Sequence, residues 1–197
     1  MRDLRQGVTR FQRDVFPAKA GLFATLASQH TPHTLFIGCS DARVVPELIT
    51  GSEPGELFVV RTTGNLVPAY TPGSEGVAAG IEYAVAVLGV TDIVVCGHSA
   101  CGAMTALAEG HDLTAAPAVA DWLRHADASR ARTAAAGDVL ALVRENVRAQ
   151  LANLATHPSV ARALAQERVT LRGWVFDIAT GGVEVLDTAA EAASPAA

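Results

Sequence analysis

Short apolar runs, separated by longer segments with helical periodicity, dominate the hydrophobic pattern of this chain. The first run, Leu35 to Ile37, is continuous rather than alternating, which is typical of a parallel strand buried on both faces. The pattern predicts strands at His33–Gly38, Glu56–Arg61, Asp92–Gly97, Val169–Asp177 and, as the second arm of a hairpin, Val183–Leu186. Because strands alternate with helices, we expect an α/β fold with a central, mostly parallel β-sheet flanked by helices.

Helical periodicity marks most of the remaining chain. An N-terminal helical arm is predicted over Gln6–Leu26, interrupted or kinked at Pro17, because proline lacks the N–H that a helix needs. The other predicted helices are Pro46–Thr50, Val77–Leu88, a helix from Ala100 or Cys101 to Glu109, Ala120–Arg130, Asp138–Thr156 and Pro158–Gln166. We expect a single domain over residues 1–187 and a disordered tail over residues 188–197, which are small and polar.

The composition excludes several classes of protein. Of the 197 residues, 50% are hydrophobic and 18% are charged, a balance typical of a folded globular chain. The formal net charge of −5, without a basic stripe, argues against nucleic-acid binding. No apolar run reaches the roughly 18 residues that a membrane span needs, and the N-terminus lacks the apolar segment of a secretory signal. We therefore expect a cytoplasmic protein that binds neither nucleic acid nor membrane.

The candidate chemistry lies where two predicted strands end. Cys39 ends the first strand, and His98 and Cys101 follow the third. If these strands are neighbours, the three side chains converge beyond the carboxyl edge of the sheet, where open α/β sheets bind ligands. Two thiols and an imidazole suit zinc, and three protein ligands leave a fourth position open for catalysis. The alternative is that the cysteines are small buried hydrophobes, which is the interpretation we favour for Cys96.

The charges of this ligand set constrain the chemistry. Zinc with two thiolates and one neutral imidazole has a net charge of zero. A water molecule on this zinc should therefore ionise at a higher pH than a water molecule on a zinc held by three histidines. Activity should therefore rise into the alkaline range. Asp41 either supplies a fourth ligand and closes the site, or turns to Arg43 and leaves room for water. The two residues could also form an ordinary structural ion pair.

Longer motifs extend from these residues along nearly the whole chain. They are Cys39-Ser-Asp-Ala-Arg-Val, the stretch from Glu53 to Pro68, Gly80-Ile-Glu-Tyr-Ala-Val, Cys96-Gly-His-Ser-Ala-Cys-Gly102, the stretch from Asn146 to Leu154, and Gly173-Trp-Val-Phe-Asp177. Together these motifs resemble the β-class carbonic anhydrases. The resemblance implies reversible hydration of CO2 to bicarbonate and a proton by zinc-bound hydroxide. It also implies one Zn²⁺ per chain, held by Cys39, His98 and Cys101.

The resemblance assigns further roles around the zinc site. Asp41, held by Arg43, would orient the hydroxide by accepting its hydrogen bond, or would ligate zinc in a closed state. The backbone N–H of Gly102 would help to position the substrate. The family builds its sites at dimer interfaces, which implies a homodimer or homotetramer. The N-terminal arm would then cross to the partner subunit.

Three departures from the family pattern concern the surroundings of the site. His30 stands where the family usually has a glutamine that reaches the site from the partner chain. Either His30 makes this polar contact with the substrate or the loop has shifted, and an exposed loop residue without a role is the alternative. Thr62 stands where the family often has asparagine. Phe36 and Phe176 replace the tryptophan and tyrosine of members with a regulatory bicarbonate site, so we expect that site to be absent or altered.

Two other functions fit the same residues. A hydrolase of CS2 or COS would use the same motifs, because only the pocket and its access route separate these linear substrates from CO2. A zinc-containing bicarbonate or redox sensor would need little catalysis. Arg43 beside Asp41 argues against the sensor, because a purely structural zinc needs no charged partner for a neighbouring carboxylate.

Overall fold

The structure is a computed structural model that describes residues 3–73, 76–133 and 137–186. The chain divides into two compact units, one up to Thr31 and one from Pro32 onward. No helix within the described ranges is long and apolar enough to cross a membrane. The predicted tail at residues 188–197 lies outside the described residues. The single domain over residues 1–187 stays a prediction.

The N-terminal unit is helical, as predicted. Helix α1 spans Leu4–Arg10, a π-helical turn spans Phe11–Val15, and α2 spans Phe16–Leu26. Pro17 lies in the first turn of α2, where a missing backbone N–H costs little. The predicted interruption therefore falls just before the proline, as a change of helix type.

The second unit contains a sheet that confirms the predicted α/β fold. Its strands are β1 Thr34–Cys39, β2 Leu57–Thr62, β3 Asp92–His98, β4 Thr170–Phe176 and β5 Val183–Leu186. They lie in the order β2-β1-β3-β4-β5, with β5 antiparallel to β4 and all other pairs parallel. Because β1 and β3 are neighbours, their last residues, Cys39 and His98, come to the same edge of the sheet.

Helices connect and flank these strands. Their bounds are α3 Pro46–Thr50, α4 Gly76–Glu82 with a π-helical continuation at Tyr83–Leu88, α5 Gly102–Glu109, α6 Pro117–Leu123, α7 Asp127–Arg132, α8 Val139–Leu154 and α9 Pro158–Ala165. Short 3₁₀ turns lie at Thr63–Asn65 and Arg124–Ala126. Most of these helices agree with the sequence prediction to within a few residues.

The prediction of one helix over Ala120–Arg130 is wrong. The helical segment begins earlier, at Pro117, and a 3₁₀ turn separates α6 from α7. A 3₁₀ turn brings residues three apart onto one face, and here it brings both Leu123 and Ala126 into the core. The sequence around Leu123 and Ala126 is rich in charged residues and alanine, so its hydrophobic pattern does not reveal the change from α-helical to 3₁₀ spacing.

Two glycines let α8 lie directly on the sheet beside the candidate site. A Cβ atom at Gly97 would come within 2.9 Å of Val143 and Val147 on α8, and one at Gly173 within 3.0 Å of Val147. Real Cβ atoms essentially never approach a neighbour as closely as 2.9 Å, so α8 could not pack here against a larger residue at position 97, and a larger residue at position 173 would force α8 to shift. Gly97 immediately precedes His98, so the packing of α8 against Gly97 helps to fix the end of β3 that carries the candidate imidazole ligand.

A small apolar cluster occupies the opposite face of the sheet. Its members are Phe36, Val94 and Cys96, with Val59, Trp174 and Phe176 packed against them. Burial raises the pKa of Cys96 to about 12, so its thiol stays protonated and acts as a small hydrophobe. This agrees with the interpretation favoured from the sequence.

Candidate metal centre

Three side chains that the sequence singles out come together at the carboxyl edge of the sheet. The Sγ atoms of Cys39 and Cys101 and a ring nitrogen of His98 lie within 4.8 Å of one another. All three residues are buried. Cys39 and His98 end adjacent strands, and Cys101 is the N-cap residue of α5. This arrangement could hold a metal ion, as predicted from the spacing.

His98 has the hydrogen bonding of a metal ligand. Its Nδ1 lies 2.9 Å from the backbone oxygen of Ser99. A carbonyl oxygen only accepts, so the proton is on Nδ1 and Nε2 carries a lone pair. Nε2 is buried, and it has no hydrogen-bond partner among the described residues. A buried lone pair beside two thiols is costly unless a cation meets it, so the donor set fits zinc.

The two thiols are coupled to each other. The hydrogen bond from Cys101 lowers the pKa of Cys39; the backbone N–H groups of Asp41 and Gly64 act in the same direction, and burial opposes them. The same hydrogen bond, together with burial, raises the pKa of Cys101. The pair therefore shares one proton, which a divalent cation would displace on binding.

Asp41 lies beside this cluster and is held by Arg43. Its Oδ1 accepts from the backbone N and Nε of Arg43, both at 2.9 Å, and its Oδ2 accepts from Nη2 at 2.7 Å. Oδ2 is 3.9 Å from Nε2 of His98. The guanidinium holds the pKa of Asp41 well below its usual range. In this structure Asp41 is therefore paired with Arg43, and its role as a fourth metal ligand stays a prediction.

Arg43 also connects the two segments that carry the candidate ligands. Its Nη2 donates 3.1 Å to the backbone oxygen of Ala100, between His98 and Cys101. Ala100 has a φ of 51°, in the left-handed region that costs an alanine about 1 kcal/mol. The hydrogen bond from Arg43 helps to hold this strained turn, in addition to holding Asp41.

Arg61 has a structural role that the sequence did not reveal. Its guanidinium donates to three backbone oxygens at and beyond the end of β1: Cys39 at 3.1 Å, Asp41 at 2.6 Å and Val44 at 2.7 Å. One side chain therefore fixes the path of the segment that carries Cys39 and Asp41. The parallel register of β1 and β2 pairs Arg61 with Gly38, one residue before Cys39, and so brings its side chain within reach of these oxygens.

The two predicted substrate-binding residues lie in different units. Gly102 is the first residue of α5, directly after Cys101, and is exposed. His30 is an exposed residue of the N-terminal unit, in the segment after α2. The substrate contacts of both residues stay predictions.

Comparisons with known proteins decide the family. A family model described as carbonic anhydrase matches residues 34–183. The solved structure of the β-carbonic anhydrase CcaA superposes with a TM-score of 0.88 at 38% identity, covering 93% of each chain. The chain belongs to the β-class carbonic anhydrases. This confirms the family, the fold and the enzyme class that the motifs predicted.

Other members of the family support this assignment. A carbonic anhydrase of Pseudomonas aeruginosa is 59% identical over 195 residues, which cover 96% of this chain and 89% of that protein. Two tetrameric β-carbonic anhydrases from the filamentous ascomycete Sordaria macrospora have also been solved. Their structure matches with a TM-score of 0.78 at 31% identity, covering 93% of this chain and 94% of the other. The similarity therefore extends over almost the entire chain.

Proposed function

We propose that this β-carbonic anhydrase catalyses the reversible hydration of CO2 to bicarbonate with one zinc ion per chain, held by Cys39, His98 and Cys101. Two observations carry the proposal. A ring nitrogen of His98 lies within 4.8 Å of two buried sulfur atoms, and the buried Nε2 of the same ring has no hydrogen-bond partner among the described residues. Bound there, zinc would supply a strong nucleophile by lowering the pKa of a water molecule, although less far than a zinc held by three histidines would.

Asp41 orients the nucleophile and does not act as a proton donor. Because Arg43 holds the pKa of Asp41 below its usual range, the carboxylate is ionised across the neutral and alkaline range. An ionised carboxylate can only accept hydrogen bonds. Oδ2 accepts one from Arg43 and keeps a further lone pair, at the atom that lies 3.9 Å from His98. That lone pair can fix the direction of an O–H group beside the cluster.

The assembly and the compartment also belong to this proposal. We propose a homodimer or homotetramer, supported by the solved tetramers of the Sordaria macrospora relatives. The contact of His30 with substrate and the crossing of the N-terminal arm to a partner subunit are predictions of the same assembly. A cytoplasmic location stays a prediction.

The proposal is tested by removing and restoring the metal. CO2 hydration is measured on the purified protein, on the same protein after zinc has been chelated, and after zinc has been added back. We expect activity to disappear with zinc and to return at one zinc per chain. Unchanged hydration after complete removal would contradict the proposal. Zinc binding without hydration would favour CS2 or COS hydrolysis or the sensor.

Gly102→Ala is expected to lower activity without unfolding the protein. Apart from its chain neighbours and the backbone of its own helix, a methyl group there would meet no described protein atom within 4 Å, and φ at Gly102 is not positive. The fold therefore does not need glycine, and a loss would come from crowding the substrate. We expect kcat/KM for CO2 hydration to fall roughly tenfold, the lower end of what one methylene costs in a binding pocket.

Gly110→Ala is the matched control, at the other end of α5. Gly110 has a φ of 68°, so alanine should cost about 1 kcal/mol of stability while the activity of the folded enzyme is unchanged. Equal kcat/KM in Gly102→Ala and the wild type would remove Gly102 from the substrate site.

A further inference from the structure

Ser99, the residue directly after His98, makes hydrogen bonds with all three of its polar groups. Its backbone oxygen accepts the 2.9 Å hydrogen bond from Nδ1 of His98. Its backbone N–H donates 2.9 Å to the carbonyl oxygen of Phe176, the last residue of β4. Its side-chain hydroxyl accepts 2.9 Å from the backbone N–H of Ile178, in the turn between β4 and β5. Ser99 therefore connects the candidate imidazole ligand to the end of the neighbouring strand.

The turn that donates to this hydroxyl is itself held by several hydrogen bonds. The backbone N–H of Asp177 donates 2.8 Å to the carbonyl oxygen of Gly182, and that of Gly181 donates 2.9 Å to the carbonyl oxygen of Asp177. The carboxylate of Asp177 accepts from the backbone N–H of Thr180 at 2.7 Å and from its hydroxyl at 2.8 Å. Ser99 is thus bound to a turn of fixed shape.

The carbonyl group that holds the imidazole belongs to the peptide group between Ser99 and Ala100. This peptide group is held from both sides, because Ser99 is bound to the turn and the backbone oxygen of Ala100 accepts from Arg43. Ala100 has a φ of 51°, which is strained for an alanine, so the chain would relax here if one of the two anchors were removed. Relaxation would turn the Ser99 carbonyl away from Nδ1 of His98.

We propose that Ser99 is a positioning residue for His98, and that its hydroxyl acts by anchoring the carbonyl that orients the imidazole. The inference rests on the proposed function, because the ligand role of His98 belongs to it. The imidazole must point its Nε2 at the place that Cys39 and Cys101 share. Hydrogen-bond partners of a ligating histidine fix its tautomer and the orientation of its ring, and so support the affinity for the metal.

The test removes the hydroxyl and then restores it. Ser99→Ala keeps the backbone groups and the shape of a half-buried side chain, so we expect it to fold. Ser99→Thr restores the hydroxyl, and Ser99 borders a cleft of about 320 Å³ that gives room for the additional methyl group. Thr156→Val is the matched control, because the hydroxyl of Thr156 also accepts from a distant backbone N–H, that of Tyr70 at 2.8 Å.

The measurement is the resonance of the Nδ1 proton of His98 in zinc-loaded protein that carries ¹⁵N-labelled histidine. This resonance is identified as the histidine signal that changes most when zinc is chelated. Zinc affinity is measured separately by competition with a chelator, and melting temperatures are compared among the four proteins.

We expect the Nδ1 proton of Ser99→Ala to move upfield, because a longer hydrogen bond deshields its proton less. Its zinc affinity should fall about tenfold, the lower end of the loss seen for partners of a metal ligand. Ser99→Thr and Thr156→Val should match the wild type in both measurements.

Other outcomes overturn the inference in distinguishable ways. A wild-type resonance in Ser99→Ala would overturn it, even with a lower melting temperature, because the hydroxyl would then support only the turn. Ser99→Thr behaving like Ser99→Ala, or the same shift in Thr156→Val, would overturn it too. Failure of the wild-type protein to bind zinc would overturn the proposed function, and this inference with it.

Discussion

Cys101→Ala is expected to fold but to lose both its zinc and its CO2 hydration. The substitution leaves two of the three ligand atoms that lie within 4.8 Å of one another. The fall in zinc affinity should exceed the roughly 10–100-fold that loss of a hydrogen-bond partner of a ligand costs. Zinc content after gel filtration and stopped-flow CO2 hydration measure the two losses.

Cys96→Ala is the matched control for this variant. Cys96 is as fully buried as Cys101 but lies in the apolar cluster on the other face of the sheet. It should keep one zinc per chain and wild-type activity, at a stability cost of about 1 kcal/mol for the small cavity. Full zinc content in Cys101→Ala, or equal zinc loss in both variants, would show that the ligands are assigned wrongly.

Asp41→Asn is expected to keep its zinc and to lose about 100-fold in activity. An amide has only one acceptor oxygen, so it cannot bind the guanidinium of Arg43 through two oxygens as the carboxylate does. It is also uncharged, so it is a weaker acceptor for the hydrogen bond of the nucleophile. Misplacement of a reacting group by about 1 Å can cost 10²-fold, which sets the expected size. Zinc content and kcat for CO2 hydration are measured on the same sample.

Asp92→Asn is the control for loss of a carboxylate paired with arginine. Asp92 binds Arg172 at 3.0 Å, at the start of β3, whereas His98 ends the same strand. The control should retain wild-type activity. Full activity in Asp41→Asn would eliminate the orienting role of Asp41, and loss of zinc in that variant would favour Asp41 as a fourth ligand.

The position of the candidate site could be predicted because it follows from the architecture. Cys39 and His98 end two continuous apolar runs, and neighbouring parallel strands bring their carboxyl ends to one edge. Cys101 follows His98 at a spacing that places it just before the first residue of α5. Each of these inferences depends on local sequence and on one general rule of α/β sheets.

The supporting contacts could not be predicted from the sequence. Arg61 and Trp122 both donate to backbone carbonyl oxygens. Because every residue has a backbone carbonyl oxygen, the residue type of the acceptor does not indicate which residue Arg61 or Trp122 will bind. Trp122, whose indole N–H donates to the backbone oxygen of Thr63, also lies 59 residues from it in the chain, on a helix that begins three residues before the predicted start at Ala120.

The measurement that tests the account most directly is the pH dependence of CO2 hydration, with zinc quantified in the same sample. We expect activity to rise from neutral to alkaline pH at one zinc per chain, because two thiolates and a neutral imidazole leave zinc without net charge. Asp41 cannot cause this rise, since Arg43 keeps its pKa below its usual range and it titrates only in acid. Activity that stays flat or falls with pH at full zinc occupancy would contradict the proposed centre.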